Sequence, residues 1–147
     1  MATIQELRKI VNYDIISDFQ EGMAIATKDG QWFHIKPNGF PVYEESYSDV
    51  GLFWNGLAAV KKDGQWFHIK PDGTPAYEER YDTVGPFWCG LAAVKKDGQW
   101  FHIKPDGTPA YEERYDTVGD FVNDRVLVIP QDGGKGFRIG LDGVRVD

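Results

Sequence analysis

Three histidines, His34, His68 and His102, share one position of a 34-residue repeat. Neutral imidazole is a common metal ligand, and residues related by a repeat can converge on one ion. They are the weak metal candidates of this chain. The fourth copy carries Arg138 at that place, which cannot ligate. Each histidine also stands on the same strand face as a tryptophan, where a buried, hydrogen-bonded imidazole is the ordinary outcome. No metal or other cofactor is expected.

Glu44-Glu45, Glu78-Glu79 and Glu112-Glu113 pair carboxylates directly after a tyrosine. Neighbours on a strand point to opposite faces, so this spacing does not make a general acid/base pair. A solvated rim is the plain reading. Hydrogen bonding to sugar hydroxyls, or pairing with a basic partner, is the alternative. Trp54 and Trp88 precede Asn-Gly and Cys-Gly, and the other copies have Gln20 and Val122 there. A core position accepts such variation less readily than an exposed one. Exposed tryptophans beside carboxylates hold sugars by stacking and a few hydrogen bonds, but packing at a blade edge is the plainer reading. The candidate ligand-binding residues are therefore Trp54, Trp88, Glu78, Glu79, Glu112 and Glu113. No glycine-rich phosphate loop opens a helix, and no Ser, Cys or His group has nucleophile spacing. The expectation is no catalytic residue and no enzyme.

The elements that must position these residues come from the repeat. Residues 56–85, GLAAVKKDGQWFHIKPDGTPAYEERYDTVG, recur unchanged at 90–119. The repeats fall at 13–46, 47–80, 81–114 and 115–147, preceded by a cap at 1–12 whose Ile4, Leu7, Ile10 and Val11 have helical spacing. Within one repeat the elements are YSDVGLFW, LAAVKK, QWFHIK and TPAYEE. Asp29-Gly30, Asp63-Gly64 and Asp97-Gly98 separate the second and third as type I′ hairpin turns, and Pro-Asp-Gly makes a further turn. Each repeat thus reads as a meander of three or four antiparallel strands. In QWFHIK, Phe67 and Ile69 face one way and Trp66 and His68 the other, so both faces need cover. Ala58 and Ala59 leave room for a neighbouring unit.

The fold class is all-β: four tandem repeats in a single domain, residues 1–147. A near-integer repeat count predicts a closed four-bladed propeller-like ring. An open β-hairpin solenoid or a domain-swapped dimer is the alternative. The fourth copy has diverged: Gly136-Phe137-Arg138-Ile139 stands where Trp100-Phe101-His102-Ile103 stands, after a two-residue insertion.

A hydrophobic content of 41 % and an aromatic content of 14 % suffice for a core. The net charge of −7 disfavours nucleic-acid binding through a basic surface. Cys89 is the one cysteine, so no disulfide closes within the chain. No apolar run suits a signal peptide or a membrane span, and the chain reads as soluble and cytoplasmic.

The elements EGMAIATKDGQWFHI, GLAAVKKDGQWFHIKPDG and YDTVGPFW resemble the WG repeat family of bacterial proteins, over residues 13–143. Phe33, Phe67 and Phe101 stand where that family usually has glycine after tryptophan, a WFHI-type variant. The resemblance implies a repeat scaffold and no shared catalytic residues. The function expected is a non-enzymatic scaffold for a protein or peptide partner. The alternative is a small lectin-like module that binds carbohydrate.

Overall fold

A computed structural model describes residues 13–146. The cap expected at 1–12 lies outside the described residues. The chain divides into two compact units, Met1–Pro75 and Ala76–Asp147. In the first, β1 (Ile15–Ile16), β2 (Ala24–Lys28) and β3 (Gln31–Ile35) form one sheet, and β4 (Asp49–Val50), β5 (Ala58–Lys62) and β6 (Gln65–Ile69) form a second. In the other, β7 (Thr83–Val84), β8 (Ala92–Lys96) and β9 (Gln99–Ile103) form a sheet, as do β10 (Thr117–Val118), β11 (Arg125–Ile129) and β12 (Phe137–Gly140). All pairings are antiparallel between chain neighbours. Among the described residues no helix is long and apolar enough to cross a membrane.

The Asp-Gly turns form as expected. Asp63 and Gly64 have φ of 53° and 78°, the left-handed values that a two-residue hairpin loop needs at both central positions. That turn sets the register Ala58↔Ile69 through Lys62↔Gln65. A second tight hairpin joins the first two strands of each sheet, at Glu21-Gly22, Asn55-Gly56, Cys89-Gly90 and Asn123-Asp124.

The fourth element, TPAYEE, does not become a strand. Its proline has no N–H to donate to a ladder. In the second unit Pro109 bridges Ile103, the Ala110 N–H reaches the His102 carbonyl at 2.9 Å, and pairing resumes only at Tyr115 with Trp100. Residues 111–114 therefore bulge away opposite the single residue Phe101. The first unit does the same: Pro41 bridges Ile35, Val42 reaches His34 at 3.0 Å, and Tyr47 pairs Trp32. Residues 43–46 bulge opposite Phe33.

Both faces of the QWFHIK strand are covered, as its alternation predicts. Ile35, Ile69, Ile103 and Ile139 are fully buried on one face, and His34, His68 and His102 are buried on the other. Ala24, Ala58 and Ala92 on the central strands are also fully buried, where a small side chain lets the layers approach.

Two glycines of one repeat separate backbone strain from steric strain. Gly98 and Gly107 have φ of 79° and 89°; a Cβ on Gly98 meets open space, whereas one on Gly107 would fall on the Tyr77 Cβ. Gly98→Ala should cost about 1–3 kcal/mol from the left-handed backbone alone. Gly107→Ala adds the overlap, and should cost about 1–3 kcal/mol more. Thermal or urea unfolding of the two variants measures the difference, and equal losses would contradict the packing of Gly107 on Tyr77.

Candidate functional site

His34 and His102 each form a hydrogen-bonded node. His34 Nε2 lies 2.8 Å from the Gly51 carbonyl, which can only accept, so Nε2 carries the proton. Nδ1 then accepts from the Tyr43 hydroxyl at 2.6 Å. His102 repeats the arrangement with Tyr111 at 2.6 Å and the Gly119 carbonyl at 3.4 Å. The one lone pair of each ring, which a metal would need, is thus taken by a tyrosine. Among the described residues no three or more His, Cys, Asp or Glu side chains group as a metal site. Phe53 and Phe121 pack edge-on against these rings at 4.6 and 4.8 Å. Burial holds both imidazoles down at about 4, and pushes the Tyr43 and Tyr111 hydroxyls above their ordinary range. The tyrosine partners were not foreseen from sequence. The available signal was their fixed separation of nine residues from each histidine.

In the fourth copy Arg138 takes the histidine place and is exposed. An open cavity of about 530 Å³ lies there, lined by Asp120, Val122, Asn123, Arg125, Leu127 and Arg138.

The tryptophans occupy the second hairpin. Trp54 exchanges two backbone hydrogen bonds with Leu57, and Trp88 does so with Leu91. Trp54 is 40 % exposed and Trp88 48 %. In the first unit Glu21 braces this turn: its carboxylate accepts from the N–H groups of Asn55 at 2.7 Å and Gly56 at 2.9 Å.

The paired carboxylates sit elsewhere. Glu112 and Glu113 lie in the bulge along the outer edge of β9, with β8 and β9 between them and the Trp88 hairpin. Their backbone carbonyls accept from Arg114, as those of Glu78 and Glu79 accept from Arg80. All four carboxylates are exposed. Glu79 also lines a cavity of about 240 Å³ with Tyr81, Lys96, Phe101 and Arg114. Within the second unit, then, the indole of Trp88 and the carboxylates of Glu112 and Glu113 do not gather around one point.

The histidine nodes make stability depend on pH. The unfolded imidazole titrates near 6.5 and the folded one at about 4, so between these values the unfolded chain holds more protons. The nodes contribute fully above pH 6.5, and their contribution is lost as pH falls towards 4. The melting temperature should be lower at pH 5 than at pH 7.5, with the imidazole NMR signals of His34 and His102 still those of the neutral ring at pH 5.5. Titration of either ring near 6.5 would contradict the node. Tyr111→Phe leaves Nδ1 without its donor and should cost about 1–3 kcal/mol at neutral pH.

Comparison with known proteins bears on fold and family. Among solved structures, Hsv2 of Kluyveromyces lactis is similar at 13 % identity and a TM-score of 0.50, over 90 % of this chain and 50 % of that one. The form of that protein with loop 6CD replaced by a Gly-Ser linker gives 15 % identity and 0.57, over 90 % and 51 %. A virginiamycin B lyase from Staphylococcus aureus is more distant, at 12 % identity and 0.46, over 89 % and 53 %. The Hsv2 structures are propeller-like, and at such identity the likeness extends to fold alone. This chain spans about half the length of the structures it matches. No curated protein matches it in sequence. The WG containing repeat matches residues 11–32, 41–66 and 69–100, more than half of the sequence. The chain belongs to the WG repeat family.

Proposed function

We propose that this chain is a non-enzymatic repeat scaffold that binds a protein or peptide partner. The observation that carries the reading is the pair of exposed indoles, Trp54 and Trp88, each mounted beside a two-residue hairpin turn. Such a turn has little freedom to lose, so an indole fixed beside it can be buried by a partner at small entropic cost. Tryptophan is among the side chains that most often dominate interface energetics. The net charge of −7 favours a partner with basic groups, and steers its approach. The histidines support a non-catalytic role, because the nitrogens of His34 and His102 are committed to structural hydrogen bonds.

A carbohydrate-binding role is the weaker alternative. A lectin-like site needs the stacking ring and the hydrogen-bonding carboxylates around one sugar. In the second unit two strands separate Trp88 from Glu112 and Glu113. That separation favours the peptide reading.

Affinity capture with the purified chain, compared with a Trp54→Ala/Trp88→Ala variant of equal melting temperature, tests the proposal. At least one protein should be retained by the parent and reduced by about tenfold or more with the variant, as expected when an interface anchor is removed. A glycan-array response abolished in the same variant, with no protein lost, would move the conclusion to carbohydrate.

A further inference from the structure

We infer that the first repeat carries a binding site for an arginine side chain of a partner, at the bulge opposite Phe33. This rests on the scaffold reading above, and names the partner's chemistry.

The other repeats show what the bulge accepts. In the second unit Arg114, the last residue of the bulge, folds back so that its guanidinium carbon lies 3.7 Å above the Phe101 ring centre. Its Nη1 donates to the carbonyls of Tyr111, Glu112 and Glu113 at 3.3, 2.8 and 3.0 Å. Phe101 is left 4 % exposed. Arg80 makes the same three bonds to Tyr77, Glu78 and Glu79 at 3.2, 2.8 and 2.9 Å. The bulge is therefore a guanidinium cradle, with three carbonyl acceptors on one side and an aromatic face below.

Among its described residues the first unit has the cradle and no arginine. Residues 42–44 bend as residues 110–112 do, and the flanking pairs of Val42 with His34 and Tyr47 with Trp32 match those of Ala110 and Tyr115. Ser46 stands where Arg80 and Arg114 stand. It is too short to reach the ring, and its hydroxyl turns instead to the Gln31 side chain at 3.1 Å. Phe33 is only half-buried, and an open cavity of about 570 Å³ lies against it, lined by Gln31, Phe33, Phe40, Pro41, Glu44 and Glu45 among others. In the second unit the cavity beside Gln99, Phe101 and Pro109 is about 240 Å³, and Arg114 forms part of its wall.

Two further features suit an incoming arginine. Phe40 replaces the threonine of the next two repeats and is 65 % exposed, which gives the methylene stem an apolar wall. Glu44 and Glu45 are exposed and line the same cavity, which adds two negative charges to it. Lysine satisfies this arrangement less well, because an ammonium cannot lie flat on the ring while it donates to the carbonyls.

The test is an NMR titration of the isotope-labelled chain with acetyl-Gly-Arg-Gly-amide, beside its lysine and citrulline counterparts. Amide shifts should centre on Gln31, Phe33 and residues 43–46, with arginine favoured over lysine and citrulline. Ser46→Arg should raise the melting temperature by covering Phe33 from within, and weaken peptide binding by at least about tenfold. Glu44→Gln/Glu45→Gln should weaken binding without filling the cavity, which keeps the test independent of how Ser46→Arg folds. Equal responses to arginine and citrulline, shifts that persist in Ser46→Arg, or no shift at these residues would overturn the inference. Binding seen only in an Arg8→Ala variant would assign the cradle to the chain's own first residues, and overturn it equally. A partner that depends on Trp54 and Trp88 would survive any of these failures, so the scaffold reading stands or falls separately.

Discussion

The structure depends on a buried imidazole that must make two hydrogen bonds. A sheet whose strands run from two to five residues cannot bury its own faces, and is not stable alone. His34 supplies the tie: it leaves β3, accepts from Tyr43 across the bulge, and donates to the Gly51 carbonyl just beyond β4, in the next sheet. An unsatisfied polar group at that depth is costly, so the two bonds admit one register between the sheets. The aromatic rings fall into place around the tie. Phe53 meets the imidazole edge-on, Tyr43 packs on Tyr47 at 5.9 Å, and Tyr47 on Phe67 at 6.1 Å. The second unit reproduces the series from His102 through Tyr111 and Tyr115 to Phe137.

Much of this was legible in the sequence, wherever the signal is local. Asp63-Gly64 announces its turn because few residue pairs tolerate left-handed backbone at two successive positions. The alternation of Phe67 and Ile69 with Trp66 and His68 announces two covered faces, because strand side chains alternate strictly. What escaped depends on contacts across irregular chain. TPAYEE has strand-like composition, but proline and the four-residue bulge interrupt it, and no periodicity reports where a bulge begins. The pairing of His34 with Tyr43 escaped for the same reason: it joins a strand residue to a bulge residue. The carboxylates beside tyrosine read as a solvated rim and are exposed, but no sequence signal shows that in the bulge the backbone carbonyls of Glu112 and Glu113 accept from the chain's own Arg114.

The repeats supply an internal reference for separating scaffold from surface. One place is held by isoleucine in all four copies, and Ile35, Ile69, Ile103 and Ile139 are all buried there. The residue that opens the second hairpin differs in every repeat but the last. Glu21, Asn55, Cys89 and Asn123 share φ between 52° and 55° but differ in chemistry. That backbone is fixed by the hairpin, so the side chain can change without disturbing the sheet behind it. Glu21 shows how such a change acts, since its carboxylate reaches the amide groups of the next hairpin.

The same logic makes the bulge the more informative difference. Replacing a buried isoleucine would unsettle a core, whereas exchanging arginine for serine at position 46 leaves every backbone pair around Phe33 in place. The ring, the bend and the neighbouring carboxylates persist, and only the guanidinium that covers their counterparts is missing. A repeat scaffold can thus expose a preformed recognition surface by losing one self-contact, at a stability cost confined to that contact. The geometry that a partner must satisfy is already built, in the same chain, by Arg114.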